Sequence, residues 1–315
     1  MTLRLGTRAS LLARTQSGMV ADLITQRLGC AVELVPISTQ GDRTSAPLAS
    51  LGGTGVFVSA LRDALEADQI DIAVHSLKDL PTAPTEGIAL AAVPEREDPR
   101  DALIARDELT LGELPPGARV GTGSPRRAAQ LHALGMGLEV HGLRGNVETR
   151  LATVTNGVFD AVILARAGLA RIGRTDVITE TLDPLQMLPA PGQGALAVEV
   201  RADAHQLLAD LAALDDRATH AAVVAEREVL ATLEAGCSAP VGALAEVVEG
   251  DHGDELWIRA VALSTDGAVS LRRSATGAVE KAAEIGSGLG RLLLDDGAAD
   301  LVNASTRPMP ATISE

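Results

Sequence analysis

Apolar positions in the first two thirds of the chain follow two alternating patterns. Short apolar runs such as residues 70–74 are typical of strands, whereas apolar residues three and four positions apart are typical of helices. Ser10 and Ser124 each precede a segment with helical spacing and are predicted to cap it. The predicted strands are 3–6, 32–38, 70–74, 119–122, 138–140 and 160–164, and the predicted helices follow Ser10 and span 58–67, 125–134 and 146–155.

The pattern changes after about residue 217. A helical segment precedes several strands and an amphipathic helix, which together predict a small α+β domain. These elements are a helix over 218–233, strands at 241–248, 256–263 and 268–273, and a helix over 278–294.

Two segments rich in Pro, Gly or charge, 95–100 and 188–194, are predicted to be crossings between domains. The sequence therefore predicts an α/β protein of three domains. Two α/β domains joined by two crossings are expected to close around a cleft, with ligands at the carboxyl ends of the strands. The predicted domains are 1–96 with 195–214, 100–190, and the α+β domain 217–315.

Composition excludes several classes of protein. The 315 residues include 27 basic and 42 acidic side chains, a net charge of −15, which argues against nucleic acid as a partner. Two cysteines cannot build a disulfide scaffold, and no spacing typical of a metal site surrounds them. No apolar run is long enough for a membrane span, and arginines interrupt any secretory signal, so a soluble cytoplasmic protein is expected.

The positive charge is concentrated in one part of this acidic chain. Residues 115–174 contain eight arginines against three acidic residues, and only Lys78 and Lys281 are lysine. Such an island predicts a focused binding site for anions rather than a generally basic surface.

Residues 121–127 (GTGSPRR) join a predicted strand to a predicted helix inside this island. Ser124 suits the cap and Pro125 the first helical position, so the free N–H groups of the helix start favour an anion. Arg126 and Arg127 add planar donors that match carboxylates. The alternative is a capped helix with a solvated arginine pair. Arg144 and Arg150 have a similar alternative, an ion pair with Glu148 or a solvated face.

Two further segments contain reactive side chains. Lys78 and Asp79 follow a buried strand, and only a turn could direct both towards one ligand; Asp79 could instead be a turn cap. Cys237 lies in a loop of small residues, where a reactive or modified thiol is plausible, whereas Cys30 is typical of a core. A cysteine-dependent hydrolase stays open but lacks a recognisable His partner.

Taken together, these segments resemble the porphobilinogen deaminases, also called hydroxymethylbilane synthases, in order along essentially the whole chain. The matching motifs are 6–10 (GTRAS), 38–42 (STQGD), 71–79 (DIAVHSLKD), 95–101 (EREDPRD), 121–127 (GTGSPRR), 143–146 (LRGN), 191–194 (PGQG) and 234–237 (EAGC). A different class, a two-domain anion-binding module, would explain the arginines but neither Cys237 nor the third domain.

The resemblance implies two doubly wound domains like those of periplasmic binding proteins, plus the third domain carrying the cysteine. It implies a transferase that condenses four porphobilinogen molecules, with loss of ammonia, into the linear tetrapyrrole hydroxymethylbilane. The chain would grow on a dipyrromethane cofactor bound through a thioether to Cys237, and the product would pass to a uroporphyrinogen-forming enzyme. Nothing in the sequence argues strongly against a monomer, which is the expected state.

The resemblance also implies a role for particular residues. Asp79 would be the catalytic carboxylate, and Phe57 would belong to a mobile loop that covers the site. Thr54 and the pair Ser59 and Ala60 stand where many relatives have lysine and a Lys-Glu pair. The cofactor would be bound by Lys78, Asp79, Thr122, Ser124, Arg126, Arg127 and Arg144, and the substrate or growing chain by Arg8, Ser10, Gln16, Arg150, Arg171 and Gln193.

Overall fold

The structure is a computed structural model that describes residues 2–37, 55–236, 239–250 and 253–303. Its strands are β1 (Thr2–Thr7), β2 (Ala31–Pro36), β3 (Ile72–Ser76), β4 (Ile88–Ala92), β5 (Asp101–Ala105), β6 (Arg119–Thr122), β7 (Glu139–Gly142), β8 (Ala161–Ala165), β9 (Glu180–Thr181), β10 (Leu196–Arg201), β11 (Val241–Gly250), β12 (Gly253–Leu263) and β13 (Ser270–Ala278).

The α-helices are numbered in the order in which they occur along the chain. They are α1 (Leu11–Leu28), α2 (Gly55–Glu66), α3 (Pro125–Ala133), α4 (Val147–Thr155), α5 (Arg166–Arg171), α6 (His205–Leu211), α7 (Arg217–Thr232), α8 (Ala282–Asp295) and α9 (Ala298–Asn303). Short 3₁₀ turns cover Leu77–Asp79, Arg106–Glu108, Leu111–Glu113, Thr175–Val177, Ala212–Leu214 and Val279–Lys281. Within the described ranges, no helix combines the length and apolarity that crossing a membrane requires.

The chain divides into two compact units. The first comprises Met1–Glu97 and Ala195–His220, and its sheet has the strand order β2-β1-β3-β10-β4. Strands β1, β2 and β3 run parallel, while β10 pairs antiparallel with both β3 and β4. Helix α1 begins at the cap residue Ser10, whose side chain accepts a hydrogen bond from the amide of Ala13, and ends at Gly29 in the left-handed conformation.

The second unit comprises Asp98–Gly194 and Ala221–Glu315 and contains two sheets. One has the order β7-β6-β8-β5-β9, with parallel strands β6, β7 and β8 and an antiparallel β5. The other is the antiparallel sheet β11-β12-β13, and side chains of α7 and α8 share a core with its strands. The predicted α/β class with a smaller C-terminal sheet is therefore confirmed, while the three predicted domain ranges stay a prediction.

Most predicted elements occur, but some boundaries differ. The strand predicted at 70–74 lies at Ile72–Ser76, and the strand predicted at 268–273 extends over Ser270–Ala278. The helix predicted from 278 begins only at Ala282, because Val279–Lys281 form a 3₁₀ turn. Strands β5 and β10 were not predicted, although each is buried and pairs on both sides with other strands.

Candidate active site

The turn after β3 places Lys78 and Asp79. Leu77 and Leu80 are buried and anchor it, since the amide of Leu77 donates to the carbonyl of Ala195 (3.0 Å) and that of Leu80 donates to the carbonyl of Leu77 (3.1 Å). Lys78 and Asp79 are left half-buried between these anchors. The strand therefore ends in a 3₁₀ turn, the geometry that adjacent residues need to serve one ligand.

The Asp79 carboxylate has no hydrogen bond or ion pair to any other residue in the described part of the chain. The alternative that Asp79 serves as a turn cap therefore has no hydrogen bond to support it there. A half-buried carboxylate at a strand end, free to meet a ligand, is a candidate for acid–base or electrostatic work.

One polar side chain of the first unit, that of Gln16, makes a hydrogen bond to this strand end. Gln16 of α1 is buried, and its side-chain amide donates to the hydroxyl of Ser76 at 3.1 Å, one residue before the turn. Ser10 caps the same helix, and Arg8 before it is half-buried. The structure thus gives Ser10 and Gln16 internal hydrogen bonds, and their predicted contacts with substrate stay predictions.

A buried ion cluster forms around Asp101 in the second unit. This carboxylate, 0% exposed, accepts hydrogen bonds from the Nη2 atoms of Arg126 and Arg127, both at 2.8 Å. The side-chain amide of Gln193 donates to it at 2.7 Å and also to the carbonyl of Pro99. Folding thus gathers three side chains, two from the start of α3 and one from the segment before β10, around the single negative charge of Asp101 on β5.

The arginines of this cluster also bind backbone oxygens. Arg126 Nη1 donates to the carbonyl of Leu188, and Arg127 Nη1 donates to that of Ile163 at 3.0 Å. The Nε atoms of Arg126 and Arg127 are buried and lack a hydrogen-bond partner among the described residues. One donor on each guanidinium therefore stays available.

The electrostatics of the cluster are unbalanced, because two cations share one anion. Burial by itself would raise the pKa of the Asp101 carboxyl, but the charges of Arg126 and Arg127 hold that pKa well below 3.8. Burial, assisted by the charge of Arg127, lowers the pKa of Arg126 despite the attraction of Asp101. The carboxylate is therefore firmly ionised, and the cluster carries an uncompensated positive charge that a further anion would stabilise.

The loop leading to α3 is built for close approach of backbone groups. The Thr122 hydroxyl accepts from the amide of Ser124 (3.2 Å), and the Ser124 hydroxyl accepts from the amide of Arg127 (3.4 Å). A Cβ on Gly123 would lie 2.5 Å from the carbonyl oxygen of Leu143, so only glycine fits there. The predicted cap at Ser124 is confirmed, and the arginine pair is buried rather than solvated.

Three further predicted arginines, Arg144, Arg150 and Arg171, belong to the second unit. Arg144 is exposed, and Arg150 Nε donates to the carbonyl of Gly145 at 2.8 Å. Arg171 Nη2 donates to the carbonyl of Gly194 at 2.6 Å and so fixes the end of the segment 191–194. Cys237 lies outside the described residues, as does the side chain of Phe57.

Asp101 and Glu226 are buried acidic residues to which the sequence reasoning gave no role. Glu226, 0% exposed, accepts from the amides of Gly192 (2.6 Å) and Ala245 (2.8 Å) and thereby joins α7, β11 and the segment carrying Gln193. The sequence could have indicated a buried role for Glu226, because this charged residue lies within an apolar stripe of a predicted helix. Asp101 follows a Pro-containing connection, and its local sequence gives little indication that it is buried.

The cationic cluster at the start of α3 defines an α/β protein whose buried guanidinium donors suit an anionic ligand. Comparison with known proteins narrows this class. The family profile "Porphobilinogen deaminase, dipyromethane cofactor binding domain" matches residues 3–209, and "Porphobilinogen deaminase, C-terminal domain" matches residues 220–295. The chain belongs to the porphobilinogen deaminase family, and the resemblance stated from the motifs is confirmed.

Individual relatives agree with this assignment. Porphobilinogen deaminase of Nocardia farcinica (strain IFM 10152) is 59% identical over 313 residues, which cover 97% of this chain and 90% of the relative. Porphobilinogen deaminase of Mycobacterium tuberculosis (strain ATCC 25618 / H37Rv) is 57% identical over 305 residues, covering 95% and 98% of the two chains.

Two solved structures with a distant likeness to this chain are a periplasmic binding protein and a periplasmic domain. A periplasmic substrate-binding protein of an ABC transporter from Coxiella burnetii is 16% identical, covers 67% of this chain and 91% of its own, and has a TM-score of 0.43. The VFT2 domain of Bordetella pertussis BvgS is 15% identical, covers 68% and 86%, and has a TM-score of 0.41. A likeness this distant carries no argument about function.

Proposed function

We propose that this chain is a transferase that joins four porphobilinogen molecules head to tail, with loss of ammonia, into hydroxymethylbilane. The growing chain is proposed to start from a dipyrromethane cofactor bound to Cys237 through a thioether. The observation that carries the proposal is the buried cluster of Asp101, Arg126 and Arg127, whose net positive charge suits a ligand with many carboxylates.

The residues of the second unit fit such a cofactor. The buried Nε donors of Arg126 and Arg127 lack partners in the described ranges, and a carboxylate oxygen would satisfy them. Thr122 and Ser124 lie at the positive end of α3, and Arg144 is exposed beside the following helix. When bound, the dipyrromethane would supply the terminal pyrrole carbon on which the chain grows. Lys78, from the turn after β3, is proposed to bind one of its carboxylates.

Among the residues of this chain, Asp79 is proposed to be the catalytic residue. Its ionised carboxylate would stabilise the positive charge that develops on a pyrrole as ammonia departs. The same group would accept a hydrogen bond from pyrrole N–H groups and take up the proton released after carbon–carbon bond formation. The absence of an internal partner in the described part supports this role, because a carboxylate already paired would be less available.

The incoming substrate is proposed to be held by Arg8, Arg150 and Arg171, which offer planar donors to its acetate and propionate groups. Ser10, Gln16 and Gln193 would orient it while they keep their internal hydrogen bonds, and Phe57 would help to cover the site. These assignments follow the family resemblance, residue by residue.

The cofactor is tested by intact-protein mass spectrometry of protein purified from cells that make porphobilinogen. We expect an adduct of two pyrrole units on the peptide containing Cys237, and none on the Cys237→Ser variant. Unmodified protein would contradict the cofactor assignment and leave an anion-binding module as the better reading.

The catalytic assignment is tested by Asp79→Asn, with Asp176→Asn as a matched control on an exposed surface pair. We expect Asp79→Asn to keep the adduct and the fold but to lose at least about 10²-fold in turnover of porphobilinogen, the range of a lost acid–base group. The control should keep normal turnover. Equal turnover in both variants would remove Asp79 from the role.

We further propose that the protein acts in the cytoplasm as a monomer and hands its product to an enzyme that forms uroporphyrinogen. Light scattering coupled to size exclusion would give a mass near 32.4 kDa for the monomer, and about twice that value would contradict it.

A further inference from the structure

A second cationic site lies on the C-terminal sheet of the second unit. In the antiparallel pair β12 and β13, Arg259 lies opposite Ser274 and Arg272 lies opposite Val261. Side chains alternate between faces along a strand, so Arg259 and Arg272 are diagonal neighbours on one face. The other face of β12, with Ile258 and its neighbours, belongs to the core shared with α7 and α8.

Neither arginine has an acidic partner within the described ranges. Arg272 makes one long contact, to the carbonyl of Leu185 at 3.4 Å, and the buried Nε of Arg259 has no hydrogen-bond partner there. Partial burial of its guanidinium and the charge of Arg259 together lower the pKa of Arg272, whose side chain is otherwise exposed. Arg273, by contrast, is neutralised by Asp296 at 2.8 Å. Arg259 and Arg272 repel each other, and the chain, with a net charge of −15, has many acidic residues that could have neutralised them. An anionic ligand would supply the missing negative charge.

Neighbouring side chains position the guanidinium of Arg259 and provide an apolar surface beside it. Arg259 lies over the ring of Trp257, 4.4 Å from its centroid, and this contact holds its donors in one plane. Arg259 and Arg272 line a cavity of about 200 Å³. Its apolar wall consists of Pro184, Leu185 and Leu188, and Leu185 is 69% exposed. The cavity is large enough for a small organic ligand.

We propose that this cavity binds a small carboxylate with a compact apolar body, held by Arg259 and Arg272 and covered by the segment around Leu185. The carboxylate would accept hydrogen bonds from both guanidiniums, and the apolar body would pack against Leu185 and Pro184. The proposal concerns a site separate from the cluster at Asp101, and it does not depend on the condensation activity.

Trp257 provides a direct assay, because it is the only tryptophan and the chain has no tyrosine. Intrinsic fluorescence of the holoenzyme would be titrated with cyclohexanecarboxylate, which does not absorb at the excitation wavelength, and with the uncharged cyclohexylmethanol. We expect a saturable change with the carboxylate, with a Kd on the order of 1 mM, and none with the alcohol. Equal responses to both compounds, or no saturation below about 10 mM, would overturn the proposal.

Variants identify the residues. Arg272→Gln changes an exposed side chain, so the fold is expected to persist, and the Kd should rise roughly tenfold. Arg174→Gln, on an exposed pair with Asp176, is the matched control and should leave the Kd unchanged. A Kd for Arg272→Gln equal to that of the unaltered protein would overturn the assignment, whatever the condensation activity of either variant.

Discussion

Replacing Asp101 by asparagine is the sharpest test of the buried cluster. The change keeps the size of the side chain but removes the one negative charge shared by Arg126 and Arg127. Removing one partner of a buried ion pair typically costs about 3–5 kcal/mol, because the other charge stays buried without compensation. For a unit of this size each kcal/mol lowers the Tm by roughly 2–4 °C, so we expect a loss of roughly 6–20 °C at pH 7.

The pH dependence of this loss follows from the pKa of Asp101. Burial opposes ionisation, but Arg126 and Arg127 hold the folded-state pKa below the ordinary value of 3.8. A depressed pKa contributes stability that is fully present above the unfolded value and is lost as the pH falls towards the folded value. The gap in Tm between the unaltered protein and Asp101→Asn should therefore be constant from pH 7 to about 5 and shrink below pH 4.

Thermal unfolding followed by circular dichroism at 222 nm measures both effects. The control Asp176→Asn removes an exposed carboxylate paired with Arg174, where pairs contribute at most about 1 kcal/mol. The double variant Asp101→Asn/Arg127→Gln should recover part of the lost Tm, since one buried cation is removed with its anion. A Tm for Asp101→Asn within about 2 °C of the unaltered protein at pH 7 would refute the reasoning.

Three further predictions concern the scaffold. Glu226→Gln should lower the free energy of unfolding in urea by about 2 kcal/mol or more, because the NH2 group of glutamine would face one of the two backbone amides that donate to the carboxylate; an unchanged midpoint would contradict this. Gly267→Ala should cost at least about 1–2 kcal/mol in the same assay, since φ is +72° and a Cβ would lie 2.6 Å from the carbonyl oxygen of Ala129; a neutral effect would be inconsistent with this turn. Burial would raise the pKa of Glu199, but hydrogen bonds from Arg62 and the neighbouring His75 imidazole, whose Nε2 lies 3.3 Å from the carboxylate, lower that pKa from 4.5 to about 2. Stability should therefore fall as the pH drops from 4.5 to 2, and a Glu199→Gln variant should show a flatter profile over that window.

Local signals predicted the elements that local interactions determine. The cap at Ser124 and the proline after it predicted the start of α3 at Pro125, and the change of pattern after about residue 217 predicted the smaller α+β part of the chain. These signals depend on hydrogen bonds and dihedral preferences within a few residues, which the sequence displays directly.

Strand β10 shows why other elements could not be predicted in this way. It lies between β3 and β4 in the sheet, although more than a hundred residues separate it from either along the chain. Its apolar run follows a Pro- and Gly-rich segment that was interpreted as a crossing, and only tertiary pairing makes it a central strand. The same limit applies to Asp101, whose pairing with arginines 25 and 26 residues away is not visible in a local pattern.

The excess of arginines in residues 115–174 does not by itself show whether their charge is neutralised inside the fold. An island of arginines could be neutralised by folding, in which case its charge would say nothing about a ligand. Asp101, which lies outside the island, enters it as one internal counter-ion, but it serves two guanidiniums and leaves a positive charge in a buried place. An unpaired buried charge lowers the stability of the fold, and a bound anion would remove that cost. The stability of this cluster is therefore coupled to the binding of an anion. A ligand carboxylate that reaches the free Nε donors would stabilise the second unit as well as occupy its site, and this coupling is what the arginine pair adds beyond recognition.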